Sequence, residues 1–142
     1  MESIRLLLTD DNDEIRAALR EQLSQQEDMQ IVGEARNGTE ALQMIADHTI
    51  DVMLLDIIMP QLDGYGVLEQ LPRCWLVAAS GMAGMGTPNT IQTRKITKRF
   101  YLCGDGESDV AEPIGLVAPR VMLCAAHQAH TVLRILAGEY EV

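Results

Sequence analysis

The chain has 142 residues and a formal net charge of −10, which argues against nucleic acid or an anionic membrane surface as the partner of the domain as a whole. Its length suits one globular domain with a core of its own. The N-terminus lacks a basic region followed by a long apolar stretch and a cleavage site, and no apolar run reaches spanning length, so a soluble cytoplasmic protein is expected. Acid is spread unevenly: residues 1–71 hold fifteen Asp and Glu against four Arg, whereas residues 72–142 hold six against seven Lys and Arg. Cys74, Cys103 and Cys124 all fall in the second half, at spacings that fit neither a zinc cluster nor a disulfide framework, and are expected as reduced thiols.

In chain order, "IRLLL" at 4–8 reads as a buried strand that ends on acids. Ile15, Ala18, Leu19 and Leu23 then recur at helical spacing, with Asp13 and Glu14 at the positive end of that helix. "MQIVGEA" at 29–35 reads as a second strand and "NG" at 37–38 as a turn. Thr39 is a candidate cap for a helix whose inner face is Ala41, Leu42, Ile45 and Ala46. "DVMLLDI" at 51–57 is the third strand, followed by a "MPQLDG" loop and a short helix with Val67, Leu68 and Leu71 inward. The first half is therefore βαβαβα, which implies parallel strands joined by helical crossovers.

The second half is less regular. "CWLVAAS" at 74–80 reads as a fourth strand, and the Gly- and Pro-containing stretch after it discourages a helix. Further strands are expected around Arg99–Cys103 and at "IGLVAP", 114–119, before a closing helix over Val121–Leu136. His127 and His130 share a face of that helix; with His48 they form no catalytic set, and a polar face is the simpler reading.

Ligands of open parallel α/β sheets bind at the carboxyl ends of the strands. Asp10 and Asp11 end the first strand and Asp56 lies near the end of the third, so three acids distant in sequence can meet at one edge. Neighbouring carboxylates repel unless a proton or a cation neutralises them, and Mg²⁺, a hard cation with oxygen ligands, answers that need. Asp11, Asn12 and Asp13 also suit helix capping, but Asp56, flanked by apolar residues in "VMLLDIIMP", has no helix to cap.

"LLLTDDND", "NGTEAL" and "VMLLDIIMPQLDG" resemble the receiver domain of two-component response regulators. "QEDMQIVGEARNG" and "DIIMPQLDGYGVLEQL" are similar, more narrowly, to the receiver of the master regulator of sporulation in endospore-forming bacteria. The resemblance covers residues 3–71. It implies a flavodoxin-like, doubly wound parallel sheet of five strands in the order 2-1-3-4-5, with helices on both faces. It further implies Asp56 as phosphoacceptor and Mg²⁺ held by Asp10, Asp11, Asp56 and the backbone carbonyl of Ile58. Ser80 would be the switch hydroxyl, and a histidine kinase or phosphotransfer protein the donor. The chain would be a signalling domain rather than an enzyme, with at most slow self-dephosphorylation, acting through an output protein and not through nucleic acid or membrane.

One element of the family pattern is missing. Where receivers carry a lysine before the proline of the last strand, Pro119 is preceded by Ala118, and Lys95 and Lys98, the only lysines, have no such context. Residues 72–142 therefore read as a divergent receiver half or as a tail replaced by a reading-frame disruption. Two alternatives stay open: a receiver-fold interaction module that no longer switches, and a Mg²⁺-dependent phosphohydrolase of the haloacid dehalogenase type, with Asp11 of Asp11–Asn12–Asp13 as nucleophile.

Overall fold

The apolar run at 4–8 forms β1, Ile4–Thr9, whose last four residues are buried because parallel strands flank it on both sides. The computed structural model describes residues 2–111 and 113–142. β2 spans Met29–Ala35 and β3 spans Val52–Leu55, in the order β2-β1-β3. The helices are α1, Asp13–Leu23, α2, Gly38–Asp47, and α3, Gly64–Glu69. The chain divides into two compact units, Met1–Arg73 and Cys74–Val142, and this α/β arrangement is the first of them.

Each helix of this unit starts on a side chain that satisfies its free N–H groups. Asn12 accepts from Glu14 and Ile15, and Asp63 from Gly66. Asn37 accepts from Glu40, so the cap of α2 is Asn37 rather than Thr39, and the "NG" pair is the start of the helix. Leu7, Ala35 and Ala41 are the core, filled out by Met44, Ile45, Ile50 and Met53. α1 departs from the expected apolar face: Ile15 is 48% exposed while Arg16 is buried.

The second unit holds β4, Leu76–Ala79, β5, Gln92–Thr97, β6, Phe100–Gly104, and α4, Ala118–Leu136. β6 lies between β4, to which it is parallel, and β5, to which it is antiparallel. Ile91, Cys103 and Cys124 are its core, packed by Val77, Ala79, Met82 and Leu123. All three cysteines are free thiols, Cys74 exposed and the other two buried.

Among the described residues the single sheet of five strands does not appear. The order 2-1-3 appears in the first unit, and the later strands make a three-stranded sheet of their own. "IGLVAP" is not a strand either. Gly115 turns the chain at a φ of 63°, Leu116 makes only an isolated bridge to Ala83, and Ala118 and Pro119 already belong to α4. No helix among the described residues is long and apolar enough to cross a membrane.

Candidate functional site: an acidic cluster at the strand ends

β1 and β3 run side by side, pairing Thr9 with Leu55, so the residues that follow each strand emerge together. The Asp56 N–H donates to the Thr9 carbonyl at 2.9 Å and the Asp10 N–H to the Ala35 carbonyl at 3.1 Å, extending the ladder one residue past the strands. Carboxylate oxygens of Asp10, Asp11 and Asp56 then lie within 4.8 Å of one another, Asp10 and Asp56 half-buried and Asp11 exposed. Asp10 Oδ1 accepts from the Asn12 N–H at 2.8 Å, which turns the chain into α1.

Ile58, expected to offer its carbonyl, is beside the cluster: its N–H points to Asp56 Oδ1 at 3.4 Å, and its side chain is 84% exposed. The loop turns at Gln61, a non-glycine residue at a φ of 62°. The Gly64 N–H donates to the Ile57 carbonyl at 2.9 Å, and a Cβ there would lie 2.7 Å from the Asp56 carbonyl oxygen. Only glycine lets α3 start this close to the backbone of residue 56.

Three anionic groups this near one another are costly, because each pair of unit charges about 4 Å apart repels by about 1 to 4 kcal/mol between water and a protein surface. The donor set is all oxygen, and it fits a hard divalent cation such as Mg²⁺.

Arg16 supports the cluster from behind. Its guanidinium donates to the Asp10 carbonyl at 2.8 Å, to Asp13 at 2.5 Å and to Glu34 at 3.3 Å, and Arg20 donates to the other oxygen of Glu34 at 2.8 Å. Arg16 holds the Asp13 carboxyl below its ordinary range. Asp13, the second acid of the Asp-x-Asp spacing, is therefore already paired. Arg16 was not legible from the sequence, because an arginine at helical spacing reads as a solvated face.

Ser80 belongs to the second unit, after β4. It is exposed, its N–H donates to the Cys103 carbonyl at 2.9 Å, and its own carbonyl accepts from the Gly106 N–H at 3.2 Å. Gly104, at a φ of 127°, permits this crossing, since a Cβ would lie 1.8 Å from the Ser80 oxygen. Beside it, Asp105 accepts from the Glu107 and Ser108 N–H groups and pairs with buried Arg120 at 2.7 Å. Lys95 Nζ donates to the Tyr140 carbonyl at 2.8 Å and lies 3.6 Å from Glu141. His127 Nδ1 lies 2.9 Å from Thr93 Oγ1.

A family model, the response regulator receiver domain, matches residues 6–98. The chain belongs to that family. Receiver domains are phosphorylated on aspartate in two-component signalling, bind Mg²⁺ at a cluster of acidic residues, and work with histidine kinases or phosphotransfer proteins and with output domains. The match continues past Leu71 into the second unit and stops short of α4.

Over 84 residues the chain is 43% identical to protein-glutamate methylesterase/protein-glutamine glutaminase 5 of Myxococcus xanthus (strain DK1622), covering 55% of this chain and 24% of that protein. It is 35% identical to the REC domain of AraT, a response regulator from Geobacillus stearothermophilus, over 55% of this chain and 64% of that one, with a TM-score of 0.46. The response regulator domain of Thermotoga maritima CheB is 22% identical, spans 96% of this chain and 93% of its own, and has a TM-score of 0.50. That last likeness is one of fold, the flavodoxin-like α/β fold of receivers. The chain thus spans about a quarter of the curated relative and under two thirds of the Geobacillus domain.

Proposed function

We propose that this chain is a phosphorylation-switched receiver in which Asp56 accepts a phosphoryl group. The convergence of Asp10, Asp11 and Asp56 carboxylates within 4.8 Å carries the reading. Asp10 and Asp11 follow one strand and Asp56 the next, so two acids can hold a cation while the third keeps an oxygen free for attack. Mg²⁺, held by Asp10, Asp11, Asp56 and the Ile58 carbonyl, would neutralise charge on the transferred oxygens and align donor with acceptor. An Asp56 oxygen attacks phosphorus, the bond from phosphorus to the donor's imidazole or acyl oxygen breaks, and an acyl phosphate is left on the chain.

The phosphodonor in this reading is a histidine kinase or a phosphotransfer protein. The added charge biases a protein-interaction surface that engages an output protein. Ser80 supplies the switch hydroxyl, and residues 72–142 are the divergent second half of a single receiver domain, a reading supported by the family match as far as Lys98. A role in sporulation is the narrowest part of the proposal and rests on residues 26–38 and 56–71 alone.

Intact mass before and after incubation with acetyl phosphate and Mg²⁺ tests it. One phosphoryl group is expected on the unaltered chain and none on Asp56→Asn. Labelling that survives the substitution refutes the assignment. The second reading, a receiver fold that binds a partner without switching, is favoured by Ala118 and Pro119 lying in the first turn of α4 and by the engagement of Lys95 with Tyr140. Mg²⁺ binding with no labelling, and partner binding unaltered by Asp56→Asn, would select it.

A further inference from the structure

The second unit contains a cavity of about 580 Å³ that has no part in the acidic cluster. One wall is α4, which presents His127, His130 and Arg134 beside the apolar Leu123 and Ile135, with Tyr101 from β6. The opposing wall includes Glu139, Glu141 and Val142, from the segment that follows α4. Nitrogen-bearing side chains on the helix and carboxylates on the segment thus line one cavity.

That segment is fastened chiefly at Tyr140, with an exposed ion pair between Glu141 and Lys95 Nζ at 3.6 Å beside it. The ring of Tyr140 stacks on Trp75 at 4.7 Å between centroids and within 4° of parallel. Its carbonyl accepts from Tyr101 Oη at 2.6 Å and from Lys95 Nζ at 2.8 Å. Upstream, α4 ends in a turn at Gly138, which has a φ of 82° and nothing within 4 Å of where a Cβ would be. The Gly138 and Glu139 N–H groups donate to the Ile135 and Arg134 carbonyls at 3.0 and 2.8 Å and close the turn, so beyond Glu139 the segment is held down by Tyr140 and by the ion pair of Glu141, which is exposed and contributes little.

We propose that residues 139–142 are a strap, latched by Tyr140, that closes one side of this cavity, and that a small apolar anion enters when the latch opens. The apolar side chains take the body of such a molecule, and Arg134 with the two histidines takes its charge once Glu139 and Glu141 have moved away. The device is independent of the chemistry at Asp56.

The probe is 8-anilinonaphthalene-1-sulfonate, an apolar anion, titrated into the full chain by fluorescence. Tyr140→Ala is expected to bind it about tenfold more tightly than the unaltered chain, the scale set by one lost aromatic stack. Near-UV circular dichroism should be retained, and adding Arg134→Gln should remove the gain. Should Tyr140→Ala lose its near-UV signal, Lys95→Met combined with Tyr101→Phe decides, because together they remove both hydrogen bonds to the Tyr140 carbonyl without emptying the core. Equal affinity in the folded variants and the unaltered chain overturns the proposal, as does a gain that survives Arg134→Gln.

Discussion

Arg16 is the residue on which the geometry of the acidic loop turns. It is 9% exposed, and its guanidinium spans the Asp10 carbonyl, Asp13 and Glu34. Replacing it with methionine keeps the packing of the side-chain stem but strands those acceptors, a loss of about 1 to 3 kcal/mol for hydrogen bonds to charged groups. Arg16→Met is therefore expected to lower the urea midpoint and to weaken Mg²⁺ binding, because the Asp10 backbone loses its anchor. Arg5 makes a more exposed clamp at the other end of the sheet, donating to both oxygens of Asp51 at 2.8 and 2.9 Å. Those bonds pull the Asp51 carboxyl from 3.8 down to about 2. A depressed carboxyl stabilises the fold above its ordinary value, and that contribution disappears as pH falls from 3.8 through about 2. Both side chains are partly exposed, so screening limits the effect to about 1 kcal/mol. Asp51→Asn should flatten that part of the pH dependence, as read by urea unfolding across the acid range.

At the scale of elements, the strands that could be read from the sequence are those whose burial is one continuous apolar run. β2 covers the same residues as its sequence reading, β1 runs one residue further at its end, and β3 is shorter by one residue at its start and two at its end. β5 could not be read because it is an exposed edge strand written "QTRKIT", paired on one side only and lacking apolar alternation. "IGLVAP" failed in the opposite direction, apolar enough for a strand but broken by a left-handed glycine and by a proline that starts a helix. The acidic cluster was legible because two separate strand ends each finish in carboxylates, whereas the arginine behind it was not. Glycine at the start of α3 gives the sharpest test at this scale. In Gly64→Ala the Cβ would meet the Asp56 oxygen and the Ile57 Cα, both at 2.7 Å, and backbone atoms cannot step aside as a flexible side chain would. The substitution is expected to cost about 1 to 3 kcal/mol, as overpacking does. It should also slow acetyl phosphate labelling of Asp56 by shifting its main chain, so thermal unfolding and the initial labelling rate should fall together.

Across the whole molecule, the charge imbalance and the boundary between the two compact units nearly coincide, the first unit ending at Arg73. The acidic unit gains most from a divalent cation, because binding removes repulsion among Asp10, Asp11 and Asp56 and stabilises only the folded form. At ten times its dissociation constant, a ligand specific to the native state adds about 1.4 kcal/mol. Far-UV circular dichroism of the full chain is expected to show a higher unfolding midpoint in Mg²⁺, beyond that produced by NaCl at equal ionic strength, and Asp11→Asn should abolish the difference. The single tryptophan, Trp75, belongs to the second unit, so its fluorescence follows that unit alone. If the chain works as one receiver domain, cation binding at the strand ends of the first unit must raise the midpoint reported by Trp75 by the same amount. A Trp75 transition that ignores Mg²⁺ while the far-UV transition moves would mean that the halves unfold independently. A phosphoryl group on Asp56 would then have no thermodynamic route to a surface built from residues 74–142.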